Sequence, residues 1–195
     1  MKQLDQSLSF ILELDKLKSV IRQTLLLNQE RLENSAEHSW HSTMMVLSLA
    51  KFANQPVDLL KVLKMQLIHD IVEIDAGDVL LYAKKNSATF EKEKIAAQRI
   101  FNLLPDPLNK ELYELWLEFE TTSSPEANFC RACDRAIPLL ANLRTNGKMW
   151  KKNQITLQMV LEKNAHIAQG SQKLWDYLLP QIHQAADQGL LIKNQ

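Results

Sequence analysis

Four glycines and six prolines in 195 residues are too few to punctuate an all-β fold, whose strands need frequent turns. Two cysteines, Cys130 and Cys133, cannot build a disulfide framework, and a cytoplasmic location is the expectation that follows. Apolar runs are interrupted by Lys, Asp or Gln well short of the ~20 residues that a bilayer span requires. The N-terminal MKQLDQSLSF lacks an apolar stretch followed by a small-residue cleavage site, so no secretory signal is expected. Basic and acidic residues number 23 each, and the resulting zero net charge provides no global field toward a nucleic-acid polymer or an anionic membrane. What remains is 46% hydrophobic and 24% charged, enough to bury one sizeable core.

That core should be helical. Leu8, Ile11, Leu14, Leu17, Ile21 and Leu25 follow a mixed three- and four-residue spacing, which predicts an amphipathic first helix or helix pair. Apolar surface on this first helix would allow a homodimer. After the polar break Asn28–Asn34, the run Asn34-Ser35-Ala36-Glu37 reads as a capping box. It places Asn34 or Ser35 at the N-cap of a helix reaching about Asn54. Asp58 can cap a helix that extends to Asp75 and stops at Gly77. Helices are also expected over about 90–104, 108–120, 125–145, 156–169 and 171–188. Ser124-Pro125 starts the third of these, and Pro180 should kink the last. No repeat or linker divides the chain. One all-α domain over residues 1–195 is expected, its site-bearing core at about 28–145 and its C-terminal helices, 148–189, packed on that core.

Chemistry concentrates in a few ionisable residues on apolar segments. His69-Asp70 falls late in the Asp58–Asp75 helix, where unpartnered ionisable groups are costly. On a continuous helix, His69 and Glu73 share a face, and Asp70 lies three residues before Glu73. His38 sits in the first turn of its own helix. Asp134 lies mid-helix among Phe129, Ala132, Cys133, Ile137 and Leu140, a poor place for a lone carboxylate. Two histidines and two aspartates from three helices form a mixed nitrogen–oxygen set that suits Mn²⁺, Co²⁺, Fe²⁺, Ni²⁺ or Zn²⁺ better than Ca²⁺.

The ordered pattern Arg31-x-Glu33-Asn34-Ser35-Ala36-Glu37-His38-Ser39, His69-Asp70-x-x-Glu73, Gly77-Asp78 and Asp134 resembles the HD-domain metal-dependent phosphohydrolases. Within them it is most similar to the branch containing the bacterial 5′-deoxynucleotidases. The resemblance covers roughly residues 8–180 and implies an all-α HD-domain bundle with a metal between helices. It implies His38, His69, Asp70 and Asp134 as ligands of one divalent transition metal. By the same resemblance Glu73 would orient or deprotonate the attacking water. Asp78 would act as general acid or position the leaving oxygen, and Arg31 would bind the phosphate of a small-molecule substrate. Dinuclear relatives carry additional histidines between the His-Asp pair and the last aspartate. None lies between His69 and Asp134, so a single metal and simple phosphate hydrolysis are expected.

The better-known 5′-deoxynucleotidases also carry an Arg-Trp pair before the first histidine motif. The corresponding stretch here is Ile21-Arg22-Gln23-Thr24-Leu25, so Arg22 and Lys18 are the candidate substrate-facing cations, without a tryptophan. A nucleoside monophosphate is the expected substrate, and a non-catalytic metal- or nucleotide-binding regulatory domain is the competing reading. Retention of Glu73 and Asp78 argues for turnover, since a binding module needs no proton-transfer groups. Arg31 and Glu33 also fit a solvated turn, and Glu37 fits its capping role. His41 would line the cleft mouth or pack on its helix. Cys130-x-x-Cys133 falls inside a helical run with no preceding strand, so packing is expected rather than redox or zinc chemistry. His166 and His183 read as surface or helix-packing residues. Trp150, Trp175 and Tyr177 read as core anchors, and Lys148–Lys152 as a solvated basic turn whose Trp150 could rim the pocket.

Overall fold

The computed structural model describes residues 1–82 and 87–192. Helix α1, Lys2–Leu14, runs into a tight 3-10 turn at Asp15–Ser19. The helical periodicity expected to continue through Leu25 ends there. Ile21–Leu25 forms strand β1, paired antiparallel with β2, Leu32–Asn34. Val20, Ile21 and Thr24 are β-branched and favour extended backbone. The period is accordingly two: Ile21 and Gln23 face outward, while Arg22 and Thr24 turn inward. A cation and a hydroxyl on the inner face of a hairpin announce a polar interior.

Helix α2, Ser35–Leu49, starts on the expected capping box. Asn34 Oδ1 accepts from the Glu37 amide at 2.9 Å, and Glu37 Oε2 accepts from the Asn34 amide at 3.2 Å. Helix α3, Leu59–Ile68, is capped by Asp58, whose side chain accepts from the Lys61 amide. It stops well before the expected end at Asp75. A short helix α4, Glu73–Ala76, follows, and Gly77 closes it at φ +77°. Helices α5, Ser87–Phe101, and α6, Leu108–Thr121, complete the first layer.

Helix α7, Pro125–Arg144, is the axis of the molecule. Ser124 caps it by accepting from the Ala127 amide, Pro125 occupies its first turn, and it continues through Pro138. Phe129, Cys130 and Cys133 of α7 join Val62, Met65, Ile100, Phe101 and Trp116 in one apolar cluster. Ala132, Ala136 and Leu139 join Trp150, Ile155, Val160, Ile167 and Ile182 in a second. A helix flanked by two apolar clusters has little polar face to spare, so a carboxylate buried on it must be compensated locally.

The second cluster is covered by α8, Lys148–Lys152; α9, Leu157–Asn164; α10, Ile167–Gly170; and α11, Gln172–Asp187. The segment expected to be a solvated turn is therefore helix α8, because Met149 and Trp150 bury on its inner side while its lysines face out. Tyr177, expected in the core, is 60% exposed instead. Helix α10 touches α7 so closely that a Cβ on Gly170 would lie 2.2 Å from the Asn128 carbonyl oxygen and 2.8 Å from Ala132 Cβ. Among the described residues, no helix is long and apolar enough to cross a membrane.

Candidate active site

The ending of α3 at Ile68 shapes the site. The His69 amide still bonds the Met65 carbonyl four residues back, but those of Ile71, Glu73 and Ile74 bond only three back. Three residues per turn eclipse positions i and i+3, so Asp70 and Glu73, rather than His69 and Glu73, stand over one another. Both reach the same guanidinium. Arg22 Nη1 lies 2.7 Å from Asp70 Oδ2, 3.5 Å from Glu73 Oε1 and 3.6 Å from Asp78 Oδ1.

The histidines converge elsewhere. Asp134 Oδ1 lies 2.7 Å from His38 Nε2 and 3.3 Å from His69 Nε2. His69 Nε2 is 3.2 Å from Asp70 Oδ1, and His38 Nε2 is 3.8 Å from Asp70 Oδ2. Donor atoms bound about 2.1 Å from one ion at angles of 90–109° lie about 3.0–3.5 Å apart. The observed spacings bracket that range. The donor atoms of His38, His69 and Asp134, all buried, lie within 4.8 Å of one another, and Asp70 adjoins them. Two imidazoles with anionic oxygens form a set that fits a divalent cation. The outer ring nitrogens are also engaged: His69 Nδ1 lies 2.8 Å from the Gln66 carbonyl oxygen and His38 Nδ1 lies 3.3 Å from Glu33 Oε1.

Five carboxyl groups thus surround one guanidinium and two imidazoles, and the titrations follow from that crowding. Burial would favour a neutral His69, yet Asp70 and Asp134 raise its pKa to about 9. Burial opposes ionisation of Asp134, but hydrogen bonds with His38 and His69 hold its carboxyl well below the usual range. Burial and the neighbouring Asp70 charge push Glu73 up to about 9, although Ser35 Oγ donates to its Oε2 at 2.5 Å. Burial likewise raises Asp78. Glu73 and Asp78 are therefore poised to hold protons close to the imidazole–carboxylate cluster.

A cavity of about 390 Å³ opens from this cluster. Asp70, Glu73, Asp78 and Asp134 line one end, while Tyr82 and Trp150, joined by an indole-to-phenol hydrogen bond of 3.1 Å, line the wall beyond. Arg135 also lines it, with one ion pair among the described residues, 3.8 Å to Asp134 Oδ2. His166 is part of this wall rather than a surface residue. Burial and nearby Arg135 push its pKa down to about 4, which keeps the ring neutral.

Of the expected substrate cations, the structure brings only Arg22 to the cavity. Arg31 makes a two-pronged pair with Glu37, at 2.6 and 2.8 Å, on the outer surface. The capping-box carboxylate holds it there, and Arg31 does not line the cavity where it was expected to meet substrate phosphate. Lys18 lies in the 3-10 turn, exposed and paired with Asp15 at 2.5 Å. It is not one helical turn from Arg22, because Arg22 is on a strand. Cys130 and Cys133 are buried free thiols, both pushed up by burial, and Cys130 Sγ donates to Gln66 Oε1 at 3.0 Å. His41 lies outside this cavity, exposed and stacked on Trp40.

Glu33, Ser35, Arg135 and Tyr82 join the site without having been assigned to it from sequence. The inward Glu33 was legible only through strand alternation, and β2 is too short to display it. Arg135 carried a plain signal, adjacency to Asp134.

Residues 14–175 match the family model described as HD domain. A predicted metal-dependent phosphohydrolase from Magnetospirillum magnetotacticum has a crystal structure similar to this one, with TM-score 0.92 and 41% identity over 98% of this chain and 99% of that one. The protein named 5′-deoxynucleotidase HDDC2 in Danio rerio is 33% identical over 133 residues, covering 67% of this chain and 65% of that protein. Its Homo sapiens counterpart is 33% identical over 116 residues, covering 58% and 54%. The chain thus spans less than two thirds of the length of these curated relatives. With a site that fits one cation between α2, α7 and the end of α3, and a match over residues 14–175, the chain belongs to the HD domain family.

Proposed function

We propose that this protein is a metal-dependent phosphomonoesterase acting on nucleoside monophosphates or closely similar small phosphate esters. One observation carries the reading: two imidazole nitrogens meet on Asp134 Oδ1, beside carboxyl groups whose proton affinity is raised. His38, His69, Asp70 and Asp134 would hold one divalent transition-metal ion. Such an ion supplies Lewis acidity toward a phosphoryl oxygen and acidifies a water molecule. The names of the curated relatives support a nucleotide substrate, and the similarity to the Magnetospirillum phosphohydrolase supports metal dependence.

The chain's own residues divide the remaining work. Glu73, held by Ser35 and Arg22, has a raised proton affinity, and once a bound cation offsets the charge of Asp70 and favours its ionised form it can accept a proton from an attacking water. Asp78, on the same guanidinium, is raised by burial and can donate to the leaving oxygen. Arg22 is surrounded by carboxylates and holds Asp70 and Glu73 in place. Arg135, bound only weakly to Asp134, is left with donors for a phosphate oxygen. Its guanidinium replaces Arg31 as the second phosphate cation in this reading.

The test is phosphate release from a nucleoside monophosphate panel after metal stripping and reloading with Mn²⁺ or Co²⁺. Glu73→Gln should keep metal while losing about 10²–10⁴-fold in kcat. No phosphate release with any metal would sink the enzymatic reading and favour a non-catalytic metal- or nucleotide-binding domain, whereas unchanged turnover in Glu73→Gln would remove Glu73 from the proton transfer.

A further inference from the structure

Three buried polar atoms, Arg22 Nε, Glu33 Oε1 and His38 Nδ1, make no well-formed hydrogen bond to any group. They face one another. Glu33 Oε1 lies 3.3 Å from His38 Nδ1 and 3.3 Å from Arg22 Nε. Buried polar atoms are costly unless paired, and here one carboxylate oxygen lies between a guanidinium N–H and an imidazole nitrogen. Glu33 itself is 4% exposed, at the centre of the three-residue strand β2.

We infer that Glu33 is a positioning residue of the metal centre, which fixes the ring state of His38 and links it to Asp70 through Arg22. The inference rests on the metal-site reading above. A neutral imidazole carries one proton, so an anionic acceptor at Nδ1 keeps that proton there and leaves the Nε2 lone pair free. Nε2 is the atom that points at Asp134 and Asp70. His69 receives the equivalent restraint from the neutral Gln66 carbonyl.

The same carboxylate reaches the opposite side of the site. Arg22 offers Nε to Glu33 and Nη1 to Asp70, so His38, Glu33, Arg22 and Asp70 form a chain of contacts at 3.3, 3.3 and 2.7 Å. Its two ends approach within 3.8 Å, between His38 Nε2 and Asp70 Oδ2. The ring thereby fixes the separation of two proposed ligands without Glu33 touching the ion. This explains why a hairpin strand bearing an arginine is inserted beside a helical site.

The probe is Zn²⁺ with protein labelled with ¹⁵N at histidine, because Zn²⁺ is diamagnetic. In the wild type, His38 should show a protonated Nδ1 and a metal-bound Nε2. Glu33→Leu should weaken Zn²⁺ binding about 10–100-fold, measured by competition with a chelator, and release His38 into a mixture of ring states. Glu33→Gln retains an acceptor oxygen, so it should keep the wild-type His38 tautomer and recover most of the affinity. If Glu33→Leu does not fold, Glu33→Gln still decides: a lost tautomer in that variant overturns the inference. Wild-type affinity and tautomer in Glu33→Leu overturn it as well. So does weakened binding in both variants with the tautomer unchanged, since that is the signature of lost charge alone. Wild-type protein that binds no Zn²⁺ overturns the metal-site reading first, and this inference with it.

Discussion

The metal-free protein should lose stability as pH rises toward 9, and a divalent metal should reverse that dependence. His69 has an ordinary pKa of 6.5, raised to about 9 in the folded chain by Asp70 and Asp134 despite burial. The stabilisation from its protonated form is complete below 6.5 and is lost as pH rises through about 9. That displacement corresponds to about 3 kcal/mol. Glu73 acts in the same direction: raised from 4.5 to about 9 by burial and Asp70, it holds a proton that the unfolded chain has released at neutral pH. For a chain of this size, 3 kcal/mol lowers Tm by about 6–12 °C.

A metal at His69 must displace its proton. Apparent affinity should therefore rise about tenfold per pH unit up to about 9, with at least one proton released on binding near neutral pH. Scanning calorimetry with and without Mn²⁺ at pH values of about 6.5, 7.5 and 8.5 reads the stability. Titration calorimetry in two buffers of different ionisation enthalpy counts the proton. A metal-induced Tm shift that is the same at every pH, with heats independent of buffer, would refute the reasoning.

Three further outcomes follow from other parts of the cavity and its supports. Arg135→Ala should raise KM for nucleoside monophosphates about 10–100-fold, the loss of one charge-assisted contact, while metal content by elemental analysis stays unchanged. His166, held near 4 by burial and Arg135, contributes stability that is present above 6.5 and lost as pH falls toward 4. Discounted for its exposure to solvent, this amounts to about 1–2 kcal/mol, and His166→Gln should flatten the acid limb of a Tm–pH profile. Gly170→Ala would drive a Cβ against the Asn128 carbonyl and should cost about 1–3 kcal/mol in urea unfolding. An unchanged midpoint there would show that α10 moves freely away from α7.

Much of the site was legible because local chemistry announced it. The capping box at Asn34, the Asp58 cap and the Ser124-Pro125 helix start are rules that operate within four residues, and each places an element that carries or leads into a candidate ligand. His38, His69 and Asp134 stood out as ionisable groups on apolar segments. The hairpin was harder to read, since Leu17, Ile21 and Leu25 imitate helical spacing while Val20, Ile21 and Thr24 favour a strand. Tertiary packing of the inward Arg22 and Thr24 decides between them. The tightening after Ile68 carries no sequence signal of comparable strength. It nevertheless changes which side chains share a face, and joins Glu73 to Asp70 rather than to His69. Arg31 could not be separated from Arg22 by charge alone; only the pair with Glu37 reveals which cation the surface retains.

Helix α7 meets partners distant in the chain at one oxygen atom. Asp134 Oδ1 contacts His38 across 96 residues and His69 across 65. A cation held by all three would clasp segments that are free to separate in the unfolded chain, and so would act as a reversible crosslink. Loading should then slow the escape of α2 from α7, a kinetic protection against proteolysis beyond any gain in equilibrium stability. The ion would belong as much to the molecule's architecture as to its chemistry.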